Sequence, residues 1–215
     1  MSRYEEYYAK LILEQYFPEK YKNLLARDQP DLWDLDNNVG IEVTSCVPEE
    51  ERRAISIACE IRDSDNETKK AELIDKLEKG YRYSEYGLEH PMKILQCSGS
   101  EHCNIKETWC NAFLLSVDKK IKKLNSGNYY EMSEYNLYVY SELLIEDWMP
   151  EKLMKEIDCL NCKDKKFSYI YLVALGYLYV FDLPQHKCKK YDLDERIYEL
   201  GDKALKLAEG GEENE

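Results

Sequence analysis

Apolar residues recur at helical spacing in two long segments of the chain. Over residues 3–17 they repeat every three or four positions, which predicts a helix that Pro18 ends. Residues 106–124 have the clearest amphipathic pattern, with one face made of Cys110, Phe113, Leu114, Val117, Ile121 and Leu124. Further helices are predicted over residues 48–77, 151–157 and 192–208.

Alternating apolar and polar positions predict strands between these helices. Residues 32–35 and 39–47 should pair as a hairpin across Asp36-Asn37-Asn38. Residues 135–141 form another strand, residues 167–183 form two strands joined near Leu175-Gly176, and residues 92–97 form a short one. Residues 21–26 favour a short helix or a loop. This order of elements predicts an α/β or α+β domain.

Length and composition favour one domain in a reducing compartment. With 215 residues, we expect a single domain over residues 1–208, an insertion around 48–105 and a solvated acidic tail over 209–215. No apolar run is long enough to span a bilayer, and the N-terminus has no apolar signal core. We therefore expect a cytoplasmic protein without membrane attachment, whose eight cysteines are reduced.

The net charge of −13 argues against a general nucleic-acid binder, which usually has a basic surface. Lysines do cluster over residues 119–123, although lysines near a helix C-terminus are most often solvated. Charge alone therefore weakens the case for a protein that acts on nucleic acid without excluding it. The chain has no G-x-S-x-G, Walker A or G-x-G-x-x-G motif, so nothing supports a hydrolase elbow, a P-loop or a dinucleotide site.

Two carboxylates stand at informative positions of the predicted hairpin. Asp31 enters the first strand, and Glu42 lies in the middle of the second, in Gly40-Ile41-Glu42-Val43-Thr44. A glutamate in a half-buried strand is costly unless it is paired or holds a metal ion. If the two strands pair, Asp31 and Glu42 can converge on one hard cation. Taken singly, Asp31 fits a turn residue and Glu42 fits a solvent-facing edge position, so their joint placement carries the hypothesis.

Pro30-Asp31 and Glu42-Val43-Thr44, with a helix before the hairpin, resemble the PD-(D/E)XK nuclease superfamily. The resemblance covers residues 3–47 and 106–141 and rests on a short, degenerate motif. It implies a restriction-endonuclease-like fold, a central mixed sheet flanked by helices. It also implies that Asp31, Glu42 and the Val43 carbonyl hold Mg²⁺ or Mn²⁺, and that Glu5 or Glu6 adds an outer ligand.

Thr44 departs from the family pattern, which has a lysine at this position. Two hypotheses follow. Either a lysine from elsewhere reaches the site, with Lys119, Lys122 and Lys123 as candidates, while Thr44 orients water or phosphate. Or the site is a remnant, and the protein is an inactive nuclease-fold protein that serves as an acidic protein-interaction or accessory module in a defence or mobile-element system. A lysine clustered with both carboxylates would favour the enzyme.

Partners and a second metal site stay open at this level. Nucleic acid and protein partners are both possible, and a dimer is plausible. Cys159-x-x-Cys162 has the spacing of a zinc ligand pair, but zinc sites usually need a second pair, so Zn²⁺ is the lesser possibility. Its possible partners are Cys97, His102 and Cys103. The alternating tyrosines of the predicted strands are expected to pack across strands rather than stack on bases.

Overall fold

The computed structural model describes residues 3–82, 96–97, 105–126, 129–141 and 145–210. The chain divides into two compact units, one made of Met1–Cys46 with Phe113–Glu215 and the other of Val47–Ala112. The predicted insertion, residues 48–105, falls within the second unit. Most of the predicted acidic tail lies outside the described residues, as does the predicted 92–97 strand except for its last two positions.

Fifteen elements follow one another along the described chain. The helices are α1 (Arg3–Tyr16), α2 (Glu49–Asp63), α3 (Glu67–Gly80), α4 (Ile105–Leu124), α5 (Met149–Leu160) and α6 (Arg196–Ala208). The strands are β1 (Leu25–Ala26), β2 (Leu32–Asp34), β3 (Val39–Cys46), β4 (Tyr81–Arg82), β5 (Gln96–Cys97), β6 (Glu134–Ser141), β7 (Phe167–Ala174), β8 (Tyr177–Asp182) and β9 (Lys187–Asp192). Among the described helices, none is long and apolar enough to cross a membrane.

A seven-stranded mixed sheet forms the centre of the first unit, in the order β1-β2-β3-β6-β7-β8-β9. The pairs β3–β6 and β6–β7 are parallel, and the other neighbours are antiparallel. Parallel pairing needs a long crossover, and the chain between β3 and β6 includes the second unit and α4. The predicted fold class, an α/β domain with a central mixed sheet and flanking helices, is confirmed.

The two faces of this sheet carry separate sets of buried side chains. One face packs against α1, since Ile12 and Leu13 join Ile41, Val43 and other strand residues in one core cluster, with α6 residues beside it. Side chains of the opposite phase point to the other face, because successive strand residues alternate. That face includes Leu137, Val139, Ile170, Leu172 and Phe181, all buried. The Phe113 ring lies 6.4 Å from that of Phe181, which places α4 on it.

The second unit has its own small core. Helices α2 and α3 pack through Ala54, Ile57, Ile61 and Leu77, with Leu73 and Ile74 against them. β4 and β5 pair as a two-residue antiparallel ladder. The unit also contains the beginning of α4, up to Ala112.

The β2–β3 hairpin forms where its turn sequence predicts. The Asp34 carboxylate accepts hydrogen bonds from the backbone nitrogen and the side-chain amide of Asn37, at 3.1 and 2.8 Å. Asn38 then adopts a positive φ of 53°, which asparagine tolerates better than most residues. Gly40 permits close packing on the hairpin, since a Cβ there would lie 2.5 Å from Pro30 Cγ.

Three predicted boundaries are wrong. Residues 21–26 contain the short strand β1 rather than only the predicted short helix or loop, because Leu25 and Ala26 pair with β2. The helix predicted over 48–77 is interrupted after Asp63 and resumes at Glu67. Asp192 ends β9 rather than starting the last helix. Sequence periodicity missed β9 because half of this edge strand is lysine and the strand is largely exposed.

Candidate functional site

Strand register brings Asp31 and Glu42 together at one edge of β3. Leu32 pairs with Ile41, so Asp31, one residue earlier, stands opposite Glu42 and its side chain points to the same face. Both side chains face α4 rather than α1. Glu42 is only 1% exposed, which makes it one of the most deeply buried charged residues in the described chain. The convergence that the sequence predicts is therefore present.

The Asp31 side chain continues the hairpin beyond its last backbone pair. Its Oδ2 accepts a hydrogen bond of 2.7 Å from the Val43 backbone nitrogen. A carboxylate thus occupies the place where a longer β2 would offer a carbonyl oxygen. This bond fixes the Asp31 carboxylate beside Glu42, and it links the site directly to the backbone of β3.

Lys120 of α4 completes the site. Its Nζ lies 2.5 Å from Glu42 Oε2 and 3.5 Å from Asp31 Oδ2, so one ammonium bridges both carboxylates. Lys123, one turn later on the same helix, places its Nζ 3.4 Å from Glu42 Oε2. Ion pairs this well shielded from water are screened far less than surface pairs.

Of the three lysines predicted as candidates, only Lys123 contacts the carboxylates. The closest contact to Glu42 is made by Lys120, which was not among the candidates. Lys123 contacts Glu42, whereas Lys119 is exposed and Lys122 pairs with Asp118 on the surface. The missed residue, Lys120, follows Phe113 by seven positions and Val117 by three, so it belongs to the apolar face of α4. Its position on the apolar face of the helix is the sequence feature that could have identified Lys120 as a site residue.

Two buried oxygens in the site have no hydrogen-bond donor or acceptor among the described residues. They are Glu42 Oε1 and the hydroxyl of Tyr129. Tyr129 lies close enough to Glu42 that burial first, and then this carboxylate, raises the pKa of its phenol. The Lys123 Nζ lies 5.5 Å from the Tyr129 ring centroid. A hydrogen bond to Glu42 is among the causes of the raised pKa of Tyr129, so the phenol and this buried carboxylate can satisfy each other.

Burial raises the pKa of the Asp31 carboxyl above its ordinary value. The Glu42 carboxylate raises the pKa of Asp31 further, while Lys120 lowers it. The folded protein therefore keeps a proton on Asp31 at a pH where the unfolded chain has lost it. Stability that depends on this proton is present at acid pH and is lost as the pH rises through the pKa of Asp31 in the folded protein.

Replacing Asp31 by asparagine should remove this pH dependence. The amide oxygen can still accept from the Val43 nitrogen, and the cost of ionising a buried acid disappears. We expect the free energy of unfolding of Asp31→Asn, relative to wild type, to increase with pH from about pH 4 upward. Urea denaturation in metal-free buffer at a series of pH values measures this difference. A difference that stays constant or falls with pH would contradict the raised pKa.

The remaining predicted residues lie near the site with weaker connections. Burial raises the pKa of Glu6 on α1, and Asp31 is the next contributor, so the two acids lie within electrostatic reach. Thr44 follows Glu42 on the same face and is half-buried. Within the described ranges, no three His, Cys, Asp or Glu side chains group as metal ligands, and Glu6 accordingly does not form a tight triad with Asp31 and Glu42.

The structure describes both cysteines of the zinc-spaced pair, Cys159 and Cys162, but not the side chains of their suggested partners. Cys159 and Cys162 are free, exposed thiols at the end of α5 and just after it. Of their suggested partners, His102 and Cys103 lie outside the described residues, and only the backbone of Cys97 is described. Zinc binding by this pair stays a prediction.

Comparisons with known proteins found no match for this chain. No protein-family model, no curated protein and no solved structure matches the chain. The argument for a function therefore rests on the site itself.

Proposed function

We propose that the protein is a metal-dependent phosphodiester hydrolase of the restriction-endonuclease-like class, acting on nucleic acid. The observation that carries this proposal is the Lys120 ammonium bridging Asp31 and Glu42. Two carboxylates and a lysine within hydrogen-bond distance are the groups that the PD-(D/E)XK resemblance implies. The family motif has a lysine at the position of Thr44. In this protein, Lys120 of α4 would take the place of that lysine beside the two carboxylates.

The donor set suits a hard divalent cation. Asp31, just before β2, and Glu42, on β3, place two carboxylates within reach of the same Lys120 ammonium. Mg²⁺ and Mn²⁺ prefer such oxygen ligands. Asp31, Glu42 and the Val43 carbonyl would hold the ion. Glu6 would be an outer ligand that contacts the ion indirectly. A bound cation supplies Lewis-acid polarisation of a phosphate oxygen and a lowered pKa of water.

The residues of the chain supply positioning and charge. Asp31 stays fixed by the Val43 nitrogen, so its carboxylate needs no reorganisation when a ligand arrives. Lys120 has a flexible four-carbon stem, which lets its ammonium leave the carboxylates for a substrate phosphate while α4 stays in place. Thr44 offers a hydroxyl on the same face to orient water or phosphate.

The test is a metal titration joined to a cleavage assay. Calorimetric titration with Mn²⁺ is carried out on wild type, Asp31→Asn, Glu42→Gln and the control Glu151→Gln, which removes an exposed carboxylate of α5. The same samples are incubated with plasmid and with single-stranded oligonucleotides. We expect both site variants to lose Mn²⁺ binding and to cleave at least about 100-fold more slowly, with the control unchanged. Equal Mn²⁺ binding by all four proteins would refute the assignment.

A second candidate has one observation in its favour. Lys120 and Lys123 together already supply two positive charges beside Asp31 and Glu42 without a metal ion, as they would in a protein that kept the fold and lost catalysis. With a net charge of −13, such a protein would be an acidic interaction or accessory module of a defence or mobile-element system. Absence of Mn²⁺ binding by the wild type would favour this candidate and direct attention to a protein partner, including a second copy.

We further propose a cytoplasmic location. Four described cysteines, Cys59, Cys159, Cys162 and Cys188, are free thiols. A protein with this many unpaired thiols suits a reducing compartment.

A further inference from the structure

A groove lined by tyrosines lies between α1 and α6, on the face of the sheet opposite to Glu42. It has a volume of about 470 Å³. The tyrosine groove, as we call it, is formed mainly by Tyr4 and Tyr8 of α1, Tyr140 of β6, and Tyr198, Gly201 and Asp202 of α6. The proposed hydrolytic site uses none of these residues, so the groove needs its own explanation.

The tyrosines form one aromatic cluster rather than separate surface residues. The rings of Tyr4 and Tyr8 stack with centroids 5.9 Å apart and an angle of 10° between their planes. The pKa of Tyr8 is raised, by burial first and then by neighbouring phenols that include Tyr4, Tyr140 and Tyr198. These phenols therefore surround Tyr8.

A buried hydroxyl beneath the cluster is unsatisfied. Tyr138 is 1% exposed, and its hydroxyl has no hydrogen-bond partner among the described residues. Burial raises its pKa, and the next contributions come from Tyr8, Tyr140 and Tyr4. These contributions indicate that Tyr138 lies near the phenols of the groove.

The charge of the groove selects the sign of its ligand. Asp202 is exposed on one wall and makes no ion pair within the described part of the chain, and no lysine or arginine lines the groove. Aromatic faces are negative because of the ring quadrupole, so they attract cations. A carboxylate beside four tyrosines repels phosphate groups, which excludes a nucleic-acid backbone as the occupant.

Gly201 keeps the groove open. It lies in the interior of α6, where glycine is less favourable to a helix than alanine. A Cβ at this position would lie 3.5 Å from the Tyr4 hydroxyl, at ordinary contact distance. A Cβ therefore fits here without a backbone shift, and the further atoms of a leucine would occupy space beside Tyr4 and Tyr8 and narrow the groove.

We propose that the tyrosine groove binds an organic ammonium ion, with its alkylated nitrogen against the faces of the tyrosines and its charge balanced by Asp202. Rings from α1, α6 and β6 supply the aromatic walls, as in cages that recognise quaternary ammonium groups. This site is independent of the proposed hydrolytic site, since it lies on the other face of the sheet.

Choline is the probe that tests the proposal. Its binding to the full chain is followed by saturation-transfer NMR and compared with that of dimethylbutanol, an uncharged molecule of the same shape. The variants are Tyr198→Ala, Asp202→Asn and Gly201→Leu. The control is Tyr130→Ala, which removes a tyrosine that is 67% exposed and lies outside the groove. Because Tyr198 is 74% exposed, its removal should leave folding intact.

We expect choline to bind wild type and Tyr130→Ala alike, about tenfold more weakly to Tyr198→Ala and Asp202→Asn, and not measurably to Gly201→Leu. Dimethylbutanol should bind much more weakly than choline.

A short neutral peptide with one trimethyllysine identifies the source of the ammonium group. Tighter binding than choline assigns it to a protein side chain, and equal or weaker binding assigns it to a free small molecule. Equal binding of choline and dimethylbutanol, unchanged choline affinity in all groove variants, or no choline binding by wild type would overturn the proposal.

Discussion

Replacing Lys120 by methionine should reduce Mn²⁺-dependent phosphodiester cleavage by about 100-fold to 1,000-fold. Methionine keeps a side chain of similar length but removes the ammonium that lies between Asp31 and Glu42. The two carboxylates remain, so Mn²⁺ should bind at least as tightly as in wild type, because no lysine then competes for them. Cleavage of plasmid and oligonucleotide substrates, measured beside calorimetric titration of the same sample, reports both quantities.

The matched control is Lys122→Met, two residues further along α4. Lys122 pairs with Asp118 on the surface, and its side chain is 69% exposed. Its replacement should change neither cleavage nor Mn²⁺ binding. Retained Mn²⁺ binding by Lys120→Met also shows that this variant is folded, which separates loss of catalysis from loss of structure. Wild-type cleavage by Lys120→Met would exclude a catalytic function for this lysine.

The second large effect concerns stability in the absence of metal. Lys120→Met should lower the free energy of unfolding by about 3–5 kcal/mol, because it leaves the buried Glu42 carboxylate without its closest counter-charge. Lys123, 3.4 Å from the same oxygen, offsets part of this loss, so the lower end of the range is expected. Urea denaturation followed by circular dichroism measures the change.

Adding Glu42→Gln to Lys120→Met should restore most of that stability. With both charges removed, the most deeply buried carboxylate is gone, and Asp31 keeps the Val43 hydrogen bond and the nearby Lys123, so the double variant should approach wild type. Comparing wild type, the two single variants and the double variant gives the coupling energy of the pair. If the losses of the two single variants simply add, Lys120 and Glu42 do not interact in solution.

Local sequence was enough to predict the hairpin and the meeting of its two acids. The turn after Asp34 is encoded by adjacent residues, and one strand register then determines that Asp31 faces Glu42. The amphipathic pattern of α4 likewise predicted a helix that the structure places at Ile105–Leu124. Periods of 2 and 3.6 residues carry this information because they report which face of an element is buried.

Lys120 could not be placed from the same patterns. It lies 78 residues from Glu42 in sequence, beyond the whole second unit. Helical periodicity tells which face of α4 is buried but not which strand that face covers, and only the parallel pairing of β3 with β6 brings the helix over Glu42. Strand β9 was missed for a different reason, because an exposed, lysine-rich edge has no apolar alternation to detect.

The two edges of the sheet also bear on how copies of this protein behave at high concentration. β1 has only two residues, and β9 carries the exposed Lys187, Lys189 and Lys190. Short edges and edge lysines hinder strand addition from a neighbouring molecule, since few backbone groups are offered and like charges would meet. Fibre growth and gelation through this seven-stranded sheet shared between copies are therefore disfavoured.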